Sequence, residues 1–333
     1  MTEGKLQQQL FQTIKNKIPD HLNAVDEVAK VLDITSDSAY RRMRGDTNLT
    51  LDEIHKLCVY YKVSLDQMMD IQTGSFIFQG KILDSKTFRF DAYLTDILNT
   101  MAYLSSVKQK EFYYLCKDSP IFHHFYFREF AAFKYFFWMR TLLYFPEFRN
   151  TKVSFDEYPD DFFNIGKKVL DIYNQMDSVE IWSLESMNTT LKQIEYYRDS
   201  QLFHSDHDVL KMYDMLESYW VHLEKQAEIG YKFDPNDPDR KRMGKFRMYY
   251  NEVVIGDNHM LAIMDGVKIA FIPHSAINTL MTRDVVYCEK FYQYLQNLMR
   301  RSTLISEVSE KERSRFFRII RDRIAKRKES LKI

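Results

Sequence analysis

The sequence predicts a mainly α-helical protein of the α+β class, with an N-terminal bundle of short helices, a large helical domain and a small antiparallel β-meander near the C-terminus. Three observations carry that prediction. Between Ala24 and Met69, apolar residues recur at helical spacing and are cut repeatedly by helix stop and start signals. From Phe90 to Gly230 the helical period dominates longer stretches. Between Tyr249 and Ile272, β-forming residues flank Asp265-Gly266, a strong hairpin signal.

The first helix carries Leu6, Leu10, Phe11, Ile14 and Ile18 among polar residues, a stripe expected to pack on the bundle rather than a signal peptide. Val25, Val28, Ala29 and Leu32 place one face of a second helix starting near Ala24. Asn23 is its N-cap, and Asp26 and Glu27 lie where a helix N-terminus favours negative charge. The turn that follows is short enough to require a residue tolerating positive φ, and Asp33 occupies that place. Thr35 then caps a third helix, Ser36 to Arg44, stopped by Gly45. Thr50 with Glu53, and Ser64 with Gln67, have capping-box spacing and open two more helices. Leu51, Ile54, Leu57, Cys58 and Tyr61 form the expected inner stripe of one, Leu65 and Met68 that of the other.

Leu32-Asp33-Ile34-Thr35, then Ala39 and Arg44-Gly45, then Leu51 through Asp66, resemble the Cro/cI repressor (XRE-type) helix-turn-helix domain. The run Asp37 to Gly45 is similar to the BetR-like subset of such domains. The resemblance is limited to about residues 5–72, and it has two departures: Asp33 stands where the family usually has Gly, and Arg42 where it often has an apolar residue. It implies a repressor-like, sequence-specific DNA-binding transcriptional regulator whose helix at about 36–44 enters the major groove of double-stranded DNA. On that helix Ala39 and Met43 share the inward face, while Ser36, Asp37, Tyr40, Arg41 and Arg44 point out. Arg41 suits a bidentate contact to guanine, and Ser36 and Tyr40 are versatile partners. Arg42 and Arg44 suit phosphates, Thr35 sits at the groove end of the helix, and Asp37 either accepts from a cytosine amino group or supports the helix start. Two-fold symmetry in a homodimer would set two such helices about 34 Å apart.

Charge supplies a competing expectation. Residues 1–75 hold nine Lys and Arg against eleven Asp and Glu, an acidic balance unusual for a DNA-binding module. The alternative is a protein-interaction scaffold whose helix-turn-helix no longer binds DNA. Over the whole chain of 333 residues the net charge is zero, so wholesale electrostatic attachment to nucleic acid or membrane is not expected. With 45% hydrophobic and 15% aromatic residues, the chain can bury a sizeable core.

The expected domains are 1–72, a linker at 73–89, a helical domain at 90–232 and an α+β domain at 233–333, the last two either separate or one unit. The short Ser75–Gln79 segment between Gly74 and Gly80 reads as extended linker or single strand. Phe90–Val107 is helical, and Glu111–Cys116 is either strand or helix. Phe122–Phe145 is nearly all apolar, but Arg128, Glu129, Lys134 and Arg140 would be costly in a bilayer, so it is expected as a central buried helix and no membrane partner is expected. Asp160–Gln175, Val179–Tyr197 and Asp206–Gly230 read as three further helices, and Phe233–Asp239 as a loop. Arg240, Lys241, Arg242, Lys245 and Arg247 follow as a basic cluster, either solvated or a second phosphate contact. The meander is expected at Tyr249–Ile255, His259–Met264 and Val267–Ile272, and helices at Asp284–Arg301 and from Ser309, boxed by Glu312, to about Ala325. This C-terminal region faintly resembles sensor domains with a degenerate phospholipase-D-like fold, but the HxKxxxxD motif is absent.

Candidate chemistry is thin. His204 and His207 with neighbouring acids form either a metal site or a polar helix start, and the second is preferred, so no metal or cofactor is expected. His123 and His124 border the aromatic stretch, where one is expected to be buried and hydrogen-bonded. P-loop, GxGxxG, GxSxG and HExxH motifs are all missing, which disfavours an enzyme. Cys58, Cys116 and Cys288 form no framework or metal signature and fit a reducing, cytoplasmic setting. The large C-terminal part is expected to dimerise, to sense a small-molecule or peptide effector, or both.

Overall fold

The computed structural model describes residues 5–69, 76–80, 87–253, 256–275 and 277–331. The expected linker at 73–75 and 81–86 and the strand end at Val254 and Ile255 lie outside them, as does the Gln67 side chain of the second capping box. The chain divides into two compact units, Met1–Ile77 and Phe78–Ile333.

The first unit holds α1 (Lys5–Lys15), α2 (Ala24–Leu32), α3 (Ser36–Arg44), α4 (Leu51–Tyr61) and α5 (Leu65–Met69). Its core joins Leu10, Phe11, Ile14 and Ile18 to Val28, Ala29, Leu32, Ala39 and Leu57. The N-terminal stripe therefore packs as expected, although Leu6 stays exposed. Leu51 also departs from expectation. It is 84% exposed, because as the first residue after the Thr50 cap it points away, and Leu49 before the cap packs on the core instead.

The second unit is built on one seven-stranded sheet in the order β6-β5-β4-β1-β2-β3-β7. Its strands are β1 (Lys110–Cys116), β2 (Ser178–Trp182), β3 (Phe246–Tyr250), β4 (Met260–Met264), β5 (Val267–Pro273), β6 (Thr279–Thr282) and β7 (Thr303–Leu304). β1, β2 and β3 run parallel, while β4, β5, β6 and β7 join antiparallel. Parallel neighbours need long crossovers, and helices supply them: α7 (Arg128–Phe137) and α8 (Asp160–Gln175) between β1 and β2, α9 (Glu185–Asp199) and α10 (Asp206–Ile229) between β2 and β3. With α6 (Phe90–Ser106) and α12 (Glu310–Glu329), these share one continuous aromatic core with alternate sheet residues such as Phe112, Trp182 and Phe246. The opposite face, including Tyr113, Leu115 and Ile181, is covered by Cys288, Phe291 and Leu295 of α11 (Val285–Arg300).

This is an α+β fold, and the sheet is larger than the expected meander. The Asp265-Gly266 hairpin forms between β4 and β5, but the meander's third strand is β6. The segment at Tyr249 lies across the sheet in β3, parallel to β2. Val179–Tyr197 is not one helix but β2 followed by α9. Phe122–Phe145 is not one helix either. It is a 3-10 turn at Ile121–Tyr126, then α7, then a π-helical turn at Trp138–Leu142, separated first by Phe127 in extended conformation. Ser309 adopts φ 56° and makes no side-chain cap to α12, so the box with Glu312 does not form. Among the described residues no helix is long and apolar enough to cross a membrane.

Polar groups thread the aromatic core. Glu180 of β2 is fully buried, accepting from the Trp182 indole at 2.8 Å and from the Tyr173 hydroxyl. Lys134 is buried against Asp118 at 2.7 Å and Gln193 at 2.9 Å. A buried charge requires such partners.

Candidate nucleic-acid interface

The first unit positions α3 through its caps. Asn23 accepts from the Val25 amide to start α2, and Asp33 stops it with φ 58° and ψ 51°. Asp33 thus adopts the left-handed backbone expected for that turn, a conformation Asp tolerates better than most residues do. Thr35 turns extended and accepts from the Ser38 amide to open α3, and Gly45, at φ 87°, ends it. The Thr50–Glu53 box forms as predicted and opens α4.

Ala39 of α3 is fully buried and Met43 packs at the edge of the core, which fixes the opposite face outward. Asp37, Tyr40, Arg41 and Arg44 lie exposed on that face, with Tyr40 at 49%. The Arg44 guanidinium lies 5.7 Å from the Tyr40 ring centroid, and Arg44 also sits 3.6 Å from Asp46. Arg41 pairs with Asp37 one turn earlier at 3.2 Å, both well exposed. Such pairs in water contribute little and exchange readily for another anion.

The remaining expected site residues have internal partners. Ser36 is exposed at the start of α3 and donates to Asp26 Oδ1 at 2.9 Å. Thr35 Oγ1 is engaged by the cap and by Ser38 Oγ at 3.0 Å. Arg42 turns away from the outward face: its guanidinium contacts Glu53 at 2.9 Å and the Ser38 carbonyl at 3.2 Å. Sequence reading missed Gln7, whose amide donates to the carbonyls of Arg42 (2.7 Å) and Thr47 (2.8 Å) and accepts from Leu49 N at 2.9 Å. It holds the loop after α3 from α1, across a sequence separation that no local pattern reports.

A helix standing out from a tight two-helix corner, capped at its leading end and carrying two exposed arginines, has a geometry compatible with major-groove insertion. Residues 5–80 match the BetR domain family model. That family is of helix-turn-helix-type DNA-binding domains, and the match suggests a DNA-binding regulator domain at the N-terminus. The match extends through Phe78–Gly80, where Gln79 pairs with Met281 of β6 through two backbone hydrogen bonds of 2.7 Å. Searches of curated proteins and of solved structures found no match to the chain.

Outside residues 5–80, the other expected candidates resolve into structural roles. Ser205 caps α10 in a box with Asp208, leaving His204 and His207 exposed at its start. Among the described residues no group of three or more His, Cys, Asp or Glu is placed to hold a metal ion. His123 and His124 are both buried, His123 Nδ1 lying 2.9 Å from the Tyr219 hydroxyl and His124 Nε2 3.1 Å from Ser119 Oγ. A cavity of about 10 Å³ lined by Asp118, Ser119, Ser186 and Thr190 has room for one water molecule. The basic run along α12 is largely spent internally: Arg321 pairs with Glu224, Arg327 with Glu195, and Lys328 with Asp214 and Glu217.

Proposed function

We propose that the chain is a non-enzymatic, sequence-specific transcriptional regulator that inserts α3 into the major groove of duplex DNA. The observation that carries this reading is the outward face of α3, where Arg41 and Arg44 are exposed while Ala39 anchors the opposite side. Arg41 reads a base edge, Tyr40 and Ser36 contribute hydrogen bonds near it, and Arg44 takes phosphate. Arg42 supports the helix from behind through Glu53. The acidic balance of the module argues for two copies acting together, with the second unit holding the dimer or responding to an effector.

Gel-shift against genomic fragments tests the reading. Arg41→Ala with Arg44→Ala should abolish a specific shift, loss of the Arg41 base contact alone weakening binding by about 1–3 kcal/mol, while the fold is retained. Sequence-specific binding that survives the double substitution would remove these residues from the interface. The second reading, an interaction scaffold, is favoured by the module's excess of acids and by a groove of about 420 Å³ between Ile18, Leu22 and Tyr60. It predicts no specific shift from the wild-type chain either.

A further inference from the structure

We propose that the ribbon at residues 231–247 is a second nucleic-acid contact, whose exposed cations take phosphates of duplex DNA; this rests on the DNA-binding reading above. Tyr231 bridges antiparallel to Lys245, and Lys232 and Gly244 continue the pairing through Lys232 N to Gly244 O and Met243 N to Lys232 O, both 2.9 Å. The base of the ribbon is locked to the body. Lys232 is fully buried and its Nζ donates to the carbonyls of Tyr173 (3.0 Å) and Met176 (2.8 Å) at the end of α8. Gly244 fits so closely that a Cβ there would lie 2.3 Å from the Met176 carbonyl oxygen. Within the turn, Asp234 accepts from Asn236 N, and Asp237 from Asp239 N and Lys241 N.

On this rigid base stand Arg240, Lys241, Arg242, Lys245 and Arg247, all exposed. Arg242 lies 5.0 Å from the Tyr231 ring centroid and Arg240 5.9 Å from that of Phe233, so both guanidinium groups are held rather than free to collapse. Lys245 and Arg247 are two residues apart on extended chain and share a face. None of the five forms an ion pair among the described residues, whereas Arg315, Arg321, Arg327 and Lys328 of α12 are each matched to carboxylates. The two carboxylates nearest in the turn are occupied, Asp237 by backbone amides and Asp234 by an amide and by Lys167 at 3.5 Å. Asp239 remains exposed at the tip. Cations strung along a ridge, rather than converging on one point, suit an extended polyanion better than a small anion. Preorganised donors also lose little entropy on binding.

Salt dependence of binding measures the contact. The full chain would be titrated with a random-sequence duplex of about 30 base pairs over roughly 50 to 200 mM salt, the slope falling by about 0.9 for each phosphate that is no longer neutralised. The triple variant K241Q/K245Q/R247Q keeps both ring-stacked arginines and should lower the slope by about 2 to 3. K311Q/R318Q/K326Q removes the same charge from exposed positions on α12 and should leave the slope unchanged. Equal thermal midpoints of all three proteins establish that each is folded. An unchanged slope in the ribbon triple, or an equal drop in the α12 triple, overturns the proposal. If Arg41→Ala with Arg44→Ala abolishes the specific shift while the ribbon triple is silent, only the ribbon contact falls; if the wild-type chain ignores duplex DNA altogether, both readings fall.

Discussion

Arg42 and Glu53 meet at 2.9 Å with both side chains mostly covered, 18% and 15% exposed, and so tie the end of α3 to the first turn of α4. Glu53 does a second job in the same place, accepting from Thr50 N at 2.9 Å to close the capping box. Burial alone would raise its carboxyl, but the Arg42 hydrogen bond and the Thr50 amide outweigh it and hold the group below the usual range. Arg42→Ala should therefore loosen α3 by about 2 kcal/mol, the size of a hydrogen bond to a charged group. Glu53→Ala should cost roughly 1 kcal/mol more, because it also removes the cap. Amide hydrogen exchange of α3 and α4 in the full chain reads both, and equal protection losses would contradict the double role.

Asp37 stands on the outward face one turn before Arg41 and pairs with it at 3.2 Å. In the proposed approach of α3 to DNA, its charge would repel phosphate and compete for the Arg41 guanidinium. Asp37→Asn should tighten binding to the same genomic fragments by on the order of two- to fivefold, since exposed charges a few ångströms apart interact weakly in water. A measured loss of affinity at one half-site position would instead assign Asp37 to a cytosine amino group.

The N-terminal module was legible because its signals are local. Asn23, Thr35, Thr50, Asp33 and Gly45 each act on backbone within a few residues, and each takes the cap or left-handed conformation its chemistry suggests. The sheet was less legible for a physical reason. β1 and β2 are covered on both faces, so Phe112 to Cys116 and Ser178 to Trp182 are buried without alternation. A short run of that kind carries no period to distinguish strand from helix. β2 also leads within a few residues into α9, whose helical spacing spreads over it in any window. At the candidate interface, the outward set on α3 followed from Ala39 and Met43, but the capture of Arg42 by Glu53 depends on where α4 packs. Gln7 is more distant still, reaching the Arg42 carbonyl from α1.

The buried histidines of the second unit set its response to acid. Burial pushes His222 down to about 3 and holds His124 well below its ordinary range, with Lys134 nearby adding to the effect on His124. Half-buried His259 is lowered in the same sense by burial. In each case the unfolded chain takes up its proton near pH 6.5 and the folded chain only at lower pH, so stability is full above about pH 6.5 and falls as pH drops below it. His222, held at about 3, has a slope that rises toward about 1.4 kcal/mol per pH unit and should by itself remove roughly 2 kcal/mol between about pH 6.5 and 5, with His124 acting in the same direction. The window lies above the range where carboxylates such as Glu180, whose burial is outweighed by His123 and other partners and whose net shift is downward, begin to titrate. Urea unfolding of the full chain at several pH values in this interval reads the slope. His222→Gln should make it shallower by up to about 1.4 kcal/mol per pH unit, since the amide cannot take up a proton on unfolding. An unfolding free energy flat across the window would mean that the two rings are protonated in the folded state or reach solvent there.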